Sequence, residues 1–409
     1  MTTDVVVVGG GIAGASVAFA LARSGVRVVV LEATERFTDK VRGESMMPWG
    51  VAEAEQLGVA DVLRRAGAHT STRWTRYGEG LCEPSQIPVG LLVSGVPGAL
   101  NLHHPTACRA LLDAARDAGA EVWRGVRDVR LAPSGAPTAE FHHEGGIHRI
   151  AGHVVIGADG RASSVRQQLG LDLHHTQPTA AIVGLLVEGL SEPEAGAHDD
   201  VVLETDQGMG LLLHQGGGRA RAYHVVPLDD RANYAGAVGA EALLADLRAG
   251  RPEVRELLAD ATPAGPCASF PNFESWIDLP AHGSVVLIGD AAGQSDPTIG
   301  CGLSVAMRDA RTVRDLILGG ATTATDFATY GAQRADLLRR LRLIAQVMIA
   351  SVVAPGDDRS ARRAWLRSAM AAMDPDVFPV IVGMFAGPES IPTGLVESGV
   401  SPSLGAGSR

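Results

Sequence analysis

The sequence predicts an α/β protein in which a parallel, dinucleotide-binding sheet carries an inserted antiparallel sheet and is followed by C-terminal helices. Three observations lead there. An apolar run from Asp4 to Val8 enters Gly9-Gly10-Gly11-Ile12-Ala13-Gly14. Two later apolar runs, Val154 to Gly157 and Ser284 to Gly289, lead into Asp159 and Asp290. Between them, residues 176–275 alternate apolar and polar positions, as strands with one buried face do.

The first run is a Rossmann-type unit. After G-x-G-x-x-G, a helical pattern spans Ala15 to Ser24 with Val17, Ala20 and Leu21 on one face. Gly25 stops it, and a second β-branched run, Val26 to Leu31, ends at Glu32. Gly9 allows the tight turn, Gly11 lets the backbone approach a pyrophosphate, and Gly14 lets the helix pack on the strand. A pyrophosphate is favoured at the free N–H groups and positive dipole end of that helix. Glu32 closes the second strand where a carboxylate accepts hydrogen bonds from a ribose.

Composition narrows the function classes. A chain of 409 residues, 46% hydrophobic, has room for two or three domains and a large core. Its net charge of −11 disfavours nucleic acid or an anionic membrane as main partner. A strand entered by residue 4 leaves no room for a signal peptide, and Val347 to Ala354 is too short to span a bilayer, so a cytoplasmic protein is expected. Cys82, Cys108, Cys267 and Cys301 form no C-x-x-C and no metal spacing; buried thiols and no metal site are expected. Lys40 is the only lysine, as GC-rich coding explains, so a mechanism that needs a catalytic lysine has one candidate.

In chain order, Arg42, Glu44 and Ser45 stand just ahead of a helix start, as a ligand-holding loop or as a simple capped turn. Residues 51–66 read as a helix, and 71–100 as strands of a different sheet. His103 and His104 precede a helix from Thr106 to Ala118, which carries Arg109 early, placed to meet phosphate or to be an ordinary solvated side chain. His142, His143 and His148 fall in an exposed hairpin and receive no role. Asp159-Gly160 leads to a helix opening at Ser163 and Ser164. Asp290 ends its strand at the same sheet edge, where ligands of α/β sheets bind. Pro297, Gly300 and Gly302 then shape a turn ahead of a helix whose first amides are free to stabilise negative charge. Residues 326–372 read as largely helical with a break near Pro355-Gly356, and the Pro-, Gly- and Ser-rich end from Gly387 as a loop or frayed tail.

Together these segments resemble the FAD-dependent monooxygenase superfamily with the para-hydroxybenzoate hydroxylase fold, over most of residues 1–320. The resemblance implies FAD, with Gly9, Gly11 and Gly14 at its pyrophosphate and Glu32 at the adenosine ribose. It implies further FAD contacts from Arg42, Arg109, Glu44, Ser45, Asp159, Gly160, Gly289 and Pro297, with Asp290 holding the ribityl chain. The helix opening at Gly300, Gly302 and Leu303 would present N–H groups to the flavin's N1–C2=O edge. The implied reaction is hydroxylation or epoxidation of a mid-sized apolar or aromatic metabolite by O2 through a flavin C4a-hydroperoxide, in a pocket kept dry partly by Pro297. Electrons would come from NAD(P)H, directly or through a separate flavin reductase. His214 and Tyr223 are candidates for the substrate pocket, or ordinary sheet residues.

Other readings stay open. The hydroxylase branch carries His where this chain has Gly293, and Gly43-Glu44-Ser45 looks more like the halogenase and geranylgeranyl-reductase-like branch. A halogenase is disfavoured because the Trp-x-Trp-x-Ile-Pro motif is absent and the single lysine sits in the wrong stretch. A C=C reductase and a non-catalytic flavin-binding protein are the remaining alternatives. The expected organisation is a discontinuous FAD-binding domain (1–70, 101–175 and 277–325), a substrate-binding sheet domain (71–100 and 176–276), a helical region (326–386) and a tail (387–409).

Overall fold

The computed structural model describes residues 1–41, 43–78, 83–132, 137–191 and 200–400. Val5–Val8 lies inside a six-stranded sheet, paired in parallel with Val28–Glu32 on one side and Val154–Gly157 on the other. Glu121–Arg124 and Val285–Leu287 extend the parallel set, and Ala281–His282 closes one edge antiparallel. Val5 and Val7 pack into the core shared with helices Ile12–Arg23, His104–Asp117 and Gly302–Leu318. Val6 and Val8 face the opposite core, formed with the meander Arg127–Leu131, Thr138–His143 and Gly146–Ala151. Both faces are covered, which is why these strands read as unbroken apolar runs.

The second sheet has eight strands built around Ala180–Glu188 and Arg219–Pro227. Ala181, Val183, Leu185 and Val187 point to a core with helices Gly239–Ala249 and Pro252–Leu257. Ile182, Met209, Leu213 and Val225 point the other way, toward the C-terminal helices Ala328–Met348, Arg359–Ala371 and Phe378–Ala386. A π-helical turn, Ile349–Val353, joins the first two of these.

Four local expectations are corrected. Gly58 takes a left-handed φ of 76° and splits the helix expected at 51–66 into Pro48–Leu57 and Ala60–Arg65. Ala99–Asn101 pairs with Ser45–Met46 and His69–Ser71 in a small third sheet, while Trp74–Tyr77 joins the large one. Residues 239–257, read as part of the strand region, are helical because Leu243, Leu244 and Leu247 share a face against the sheet. The tail expected from Gly387 instead folds back: Ile391 is buried, and its carbonyl accepts a hydrogen bond from Arg340. Pro388 is buried too, and Leu395 and Val396 of the short helix Thr393–Ser398 pack against the same core, which outweighs the loop-like composition.

Cys108 and Cys301 are buried, whereas Cys267 is only half-buried, and Cys82 lies outside the described residues. Among the described residues no helix is long and apolar enough to cross a membrane, and no cluster of His, Cys, Asp and Glu is arranged to hold a metal ion.

Candidate functional site

A cavity of about 1270 Å³ is lined by both sheets and by the C-terminal helices. At its glycine-rich end three glycines do three different things. Gly9 has φ 103°, and a Cβ there would stand 2.3 Å from the Ala158 carbonyl oxygen. A Cβ on Gly14 would stand 1.9 Å from the Gly9 carbonyl oxygen, so Gly14 packs the helix on the turn and does not border the cavity. Gly11 does border it, and its missing Cβ would point into open space. Gly11, Ile12 and Ala13 thus bring the first turn of the helix to the cavity wall, where unpaired amides favour an anion. Glu32 is buried beside them, accepting from the Gly10 N–H at 2.5 Å and the Thr34 N–H at 2.6 Å.

Asp159 and Gly160 border the same cavity. The Asp159 carboxylate caps helix Ser164–Gln168, accepting from the N–H groups of Ser164 at 2.7 Å and Val165 at 3.1 Å. Gly289 and Asp290 follow at the next strand end, with Arg161 Nε 3.9 Å from the Asp290 carboxylate. Arg334 and Asp309 hold this turn from below. Asp309 accepts from the Gly289 N–H at 2.8 Å and pairs with Arg334 at 3.0 Å. Arg334 in turn donates to the carbonyls of Gly289 at 3.2 Å, Ala292 at 3.0 Å and Gly293 at 2.6 Å. Gly293 has φ 110°, and a Cβ would meet the Ser275 carbonyl oxygen at 2.3 Å, so this turn has no room for a histidine.

Pro297, Gly300, Gly302 and Leu303 complete that wall. Gly300 is left-handed at φ 65°, and a Cβ on Gly302 would again point into open space. A second helix, Gly302–Leu318, therefore presents its first-turn amides to the cavity. The hydroxyls of Ser45 and Ser295, both on cavity-lining residues, are buried without a hydrogen-bond partner among the described residues. Two helix N-termini, open glycine cradles and unsatisfied hydroxyls fit an elongated, anionic dinucleotide.

The rest of the cavity is largely apolar, with Arg76 and Glu204 at its sheet margin. Its floor is one face of the large sheet, including Trp74, Val202, Leu211 and Ile182, and its roof is C-terminal, including Met348, Leu366 and Phe385. Tyr223 stands where floor and glycine-rich end meet, donating its hydroxyl to Glu44. Glu44 also pairs with the fully buried Arg221 at 3.0 Å, which reaches Asp39 at 2.7 Å. Burial and the neighbouring Glu44 charge push the Tyr223 phenol well above its ordinary value, so it is a proton donor and not a base at neutral pH.

Two of the expected site residues that are described, Arg109 and His214, are not brought to the cavity. Arg42 lies outside the described residues. Arg109 is exposed; in its helix His104 and Cys108, four apart, take the cavity-facing side, and Arg109 is rotated past them. His214 is buried on the far face of its strand, because Leu211 and Leu213 face the cavity and the side-chain period is two. Its backbone N–H donates to Asp200 at 3.0 Å. Conversely, His104 and Lys40 border the glycine-rich end without having been assigned there. The helical phase set by Leu111 and Leu112, both buried, carries the signal for His104.

Comparison with known proteins agrees with this geometry. The chain is 27% identical to squalene epoxidase 2, mitochondrial, of Arabidopsis thaliana over 320 residues, 77% of this chain but 54% of that protein, so it spans little more than half the relative's length. It is 29% identical to the FAD-dependent urate hydroxylase of Klebsiella oxytoca over 380 residues, 88% of this chain and 92% of the relative. The solved structure of the flavin-dependent brominase Bmp2 superposes with a TM-score of 0.76 at 16% identity, covering 97% of this chain and 99% of the other, a likeness of fold. Residues 2–342 match the family described as FAD binding domain, and the chain belongs to that family, within the FAD-dependent monooxygenase superfamily.

Proposed function

We propose that the protein is an FAD-dependent monooxygenase that hydroxylates or epoxidises a mid-sized, largely apolar or aromatic metabolite, using O2 and electrons from NAD(P)H supplied directly or through a separate reductase. The observation that carries this reading is the meeting of two helix N-termini and the strand ends at Gly9, Glu32, Asp159 and Asp290 on one cavity whose remaining walls are largely apolar. Gly11 to Ala13 hold the pyrophosphate, and Glu32 receives the adenosine ribose hydroxyls. Asp290 binds the ribityl chain, and the amides of Gly302 and Leu303 stabilise negative charge at the pyrimidine edge of the ring. His104 and Lys40 take the electrostatic place first given to Arg109.

Bound and reduced, FAD supplies the activation of O2 and the transfer of one oxygen atom. The chain's own work is positioning and exclusion. The apolar floor and roof keep water from the reacting atoms, and the Pro297–Ile299 turn shapes the wall between cofactor and substrate. Tyr223, its one proton donated to Glu44, orients a substrate hydroxyl by accepting its hydrogen bond. The halogenase alternative finds no support in Lys40, which borders the cavity near Glu32 and Cys108 rather than the sheet floor.

The test is anaerobic mixing of the purified yellow protein with NADPH and with NADH, followed by oxygen admission with candidate substrates. Flavin bleaching and substrate-stimulated oxygen uptake with an oxygenated product are expected. Reduction by a nicotinamide without any oxygenated product, and saturation of a substrate C=C bond instead, would replace this reading with the reductase one.

A further inference from the structure

At the end of the cavity away from the glycine turns lies an ion cluster that the chemistry above does not use. Strand register connects it to Tyr223. Arg76 is paired with Val202, Val202 with Leu211, and Leu211 with Tyr223. These four residues form one row across four adjacent strands, and all four border the cavity. Three interstrand spacings place the two ends of the row roughly 14 Å apart. Between the ends the row offers only the apolar Val202 and Leu211, and the adjacent row adds Met209 and Val225.

The Tyr223 end adjoins Glu44 and Ser45, the cofactor side. At the opposite end Arg76 Nη2 lies 2.6 Å from Glu204 Oε1, and Arg367 Nη1 lies 2.9 Å from Glu204 Oε2. The Glu204 side chain is 1% exposed, and both Arg76 and Glu204 border the cavity. Two guanidiniums on one carboxylate leave these three side chains with a surplus positive charge. Of the two guanidiniums only Arg76 borders the cavity, and its Nε is buried without a hydrogen-bond partner among the described residues, a donor that an oxyanion would satisfy in geometry as well as charge.

We infer that the substrate is an elongated amphipathic acid. Its apolar or aromatic body lies along the Val202–Leu211 row, its carboxylate or equivalent oxyanion is held at Arg76, and its opposite end is presented beside Tyr223. The placement of oxidation at that opposite end rests on the monooxygenase reading; the acid site and the length of the row do not. The row works as a ruler that fixes how far the reacting carbon stands from the acid group.

The experiment uses the FAD-loaded protein and a matched series: decanoate, dodecanoate and tetradecanoate, each against its methyl ester. Binding is read from the flavin spectrum and, independently, from quenching of the tryptophan emission to which Trp74 in the wall contributes. Each acid is expected to bind about tenfold more tightly than its ester, a charge-assisted hydrogen bond's worth. The preference is expected to weaken with salt and to vanish in Arg76→Gln. Leu211→Trp, which fills the middle of the row, is expected to move the best chain length downward while the preference for acid remains. Equal binding of acid and ester by the unaltered protein, or a preference that survives Arg76→Gln, overturns the proposal and leaves the cluster as a clamp between sheet and helix. A protein that fails to bind FAD would sink the monooxygenase reading instead, and the tryptophan signal would still decide the acid site.

Discussion

The two ends of the cavity are built from different materials. At the glycine-rich end the groups facing inward are largely backbone: the amides at Gly11 to Ala13 and at Gly302 and Leu303, exposed because glycine leaves no Cβ in the way. At the sheet end they are side chains, Trp74, Leu211, Tyr223 and their neighbours, chosen by which face of a strand each occupies. The first end depends on local conformation and tolerates little change. The second depends on a pairing between distant strands and can be altered one side chain at a time. Cofactor binding and substrate choice are therefore separable by mutation.

The largest expected effect contrasts two glycines three residues apart. Gly14→Ala puts a Cβ against the Gly9 carbonyl and should destabilise the apoprotein by about 3 kcal/mol or more, measured by denaturant unfolding. Gly11→Ala meets nothing in the protein, so its unfolding should match the parent while FAD affinity falls by about tenfold or more, since the backbone can no longer approach the ligand. Equal losses of stability in both would erase the distinction between packing and binding glycines. Arg334→Met comes next. It strands the fully buried Asp309 and uncaps three carbonyls of the Gly289–Gly293 turn, and should cost about 3–5 kcal/mol with loss of bound FAD.

On the sheet side, His224 provides a pH test. It is buried between Thr205 at 2.8 Å and Tyr234 at 3.1 Å, and burial holds its pKa down to about 4, from 6.5. Between those values the unfolded chain binds a proton that the folded one refuses, so stability falls as the pH drops from 6.5 toward 4. The slope from this one group is at most about 1.4 kcal/mol per pH unit, and should disappear from the unfolding profile of His224→Gln. Tyr223→Phe removes the donor to Glu44 and should cost about 1–2 kcal/mol in stability. Its FAD affinity should match the parent while substrate-stimulated oxygen uptake declines; a large loss of FAD affinity would place Tyr223 at the wrong end. Arg109→Ala should change neither FAD affinity nor stability by more than about 0.5 kcal/mol, as for an exposed helix position.

Legibility followed the same division. The glycine turns and the acids that close their strands could be read directly because each is a short-range constraint: a turn needs φ above zero here, a close approach there, within a few residues. For Arg109 the residue type left a phosphate contact and a solvated side chain both open, and its helical phase turns it outward; for His214 the strand was legible, and the face, away from the cavity, was not. Gly293 had pointed toward another branch of the family; in the structure its place is explained by the Ser275 carbonyl behind it, a contact with a residue eighteen positions earlier in the chain.

By itself, then, the sequence determined the parallel sheet, the three cavity-facing turns, the second sheet and the FAD family, since all of these rest on periodicity and on what glycine and a terminal acid do locally. Only the tertiary structure decided the pairing of Arg334 with Asp309 beneath the Gly289 turn. It also brought Tyr223 and Arg221 to Glu44, and aligned Arg76 with Tyr223 across the cavity floor. Those contacts join residues 25 to 179 positions apart, and they form only when separate elements are packed. No local pattern encodes the strand register and the packing of separate elements that bring them together.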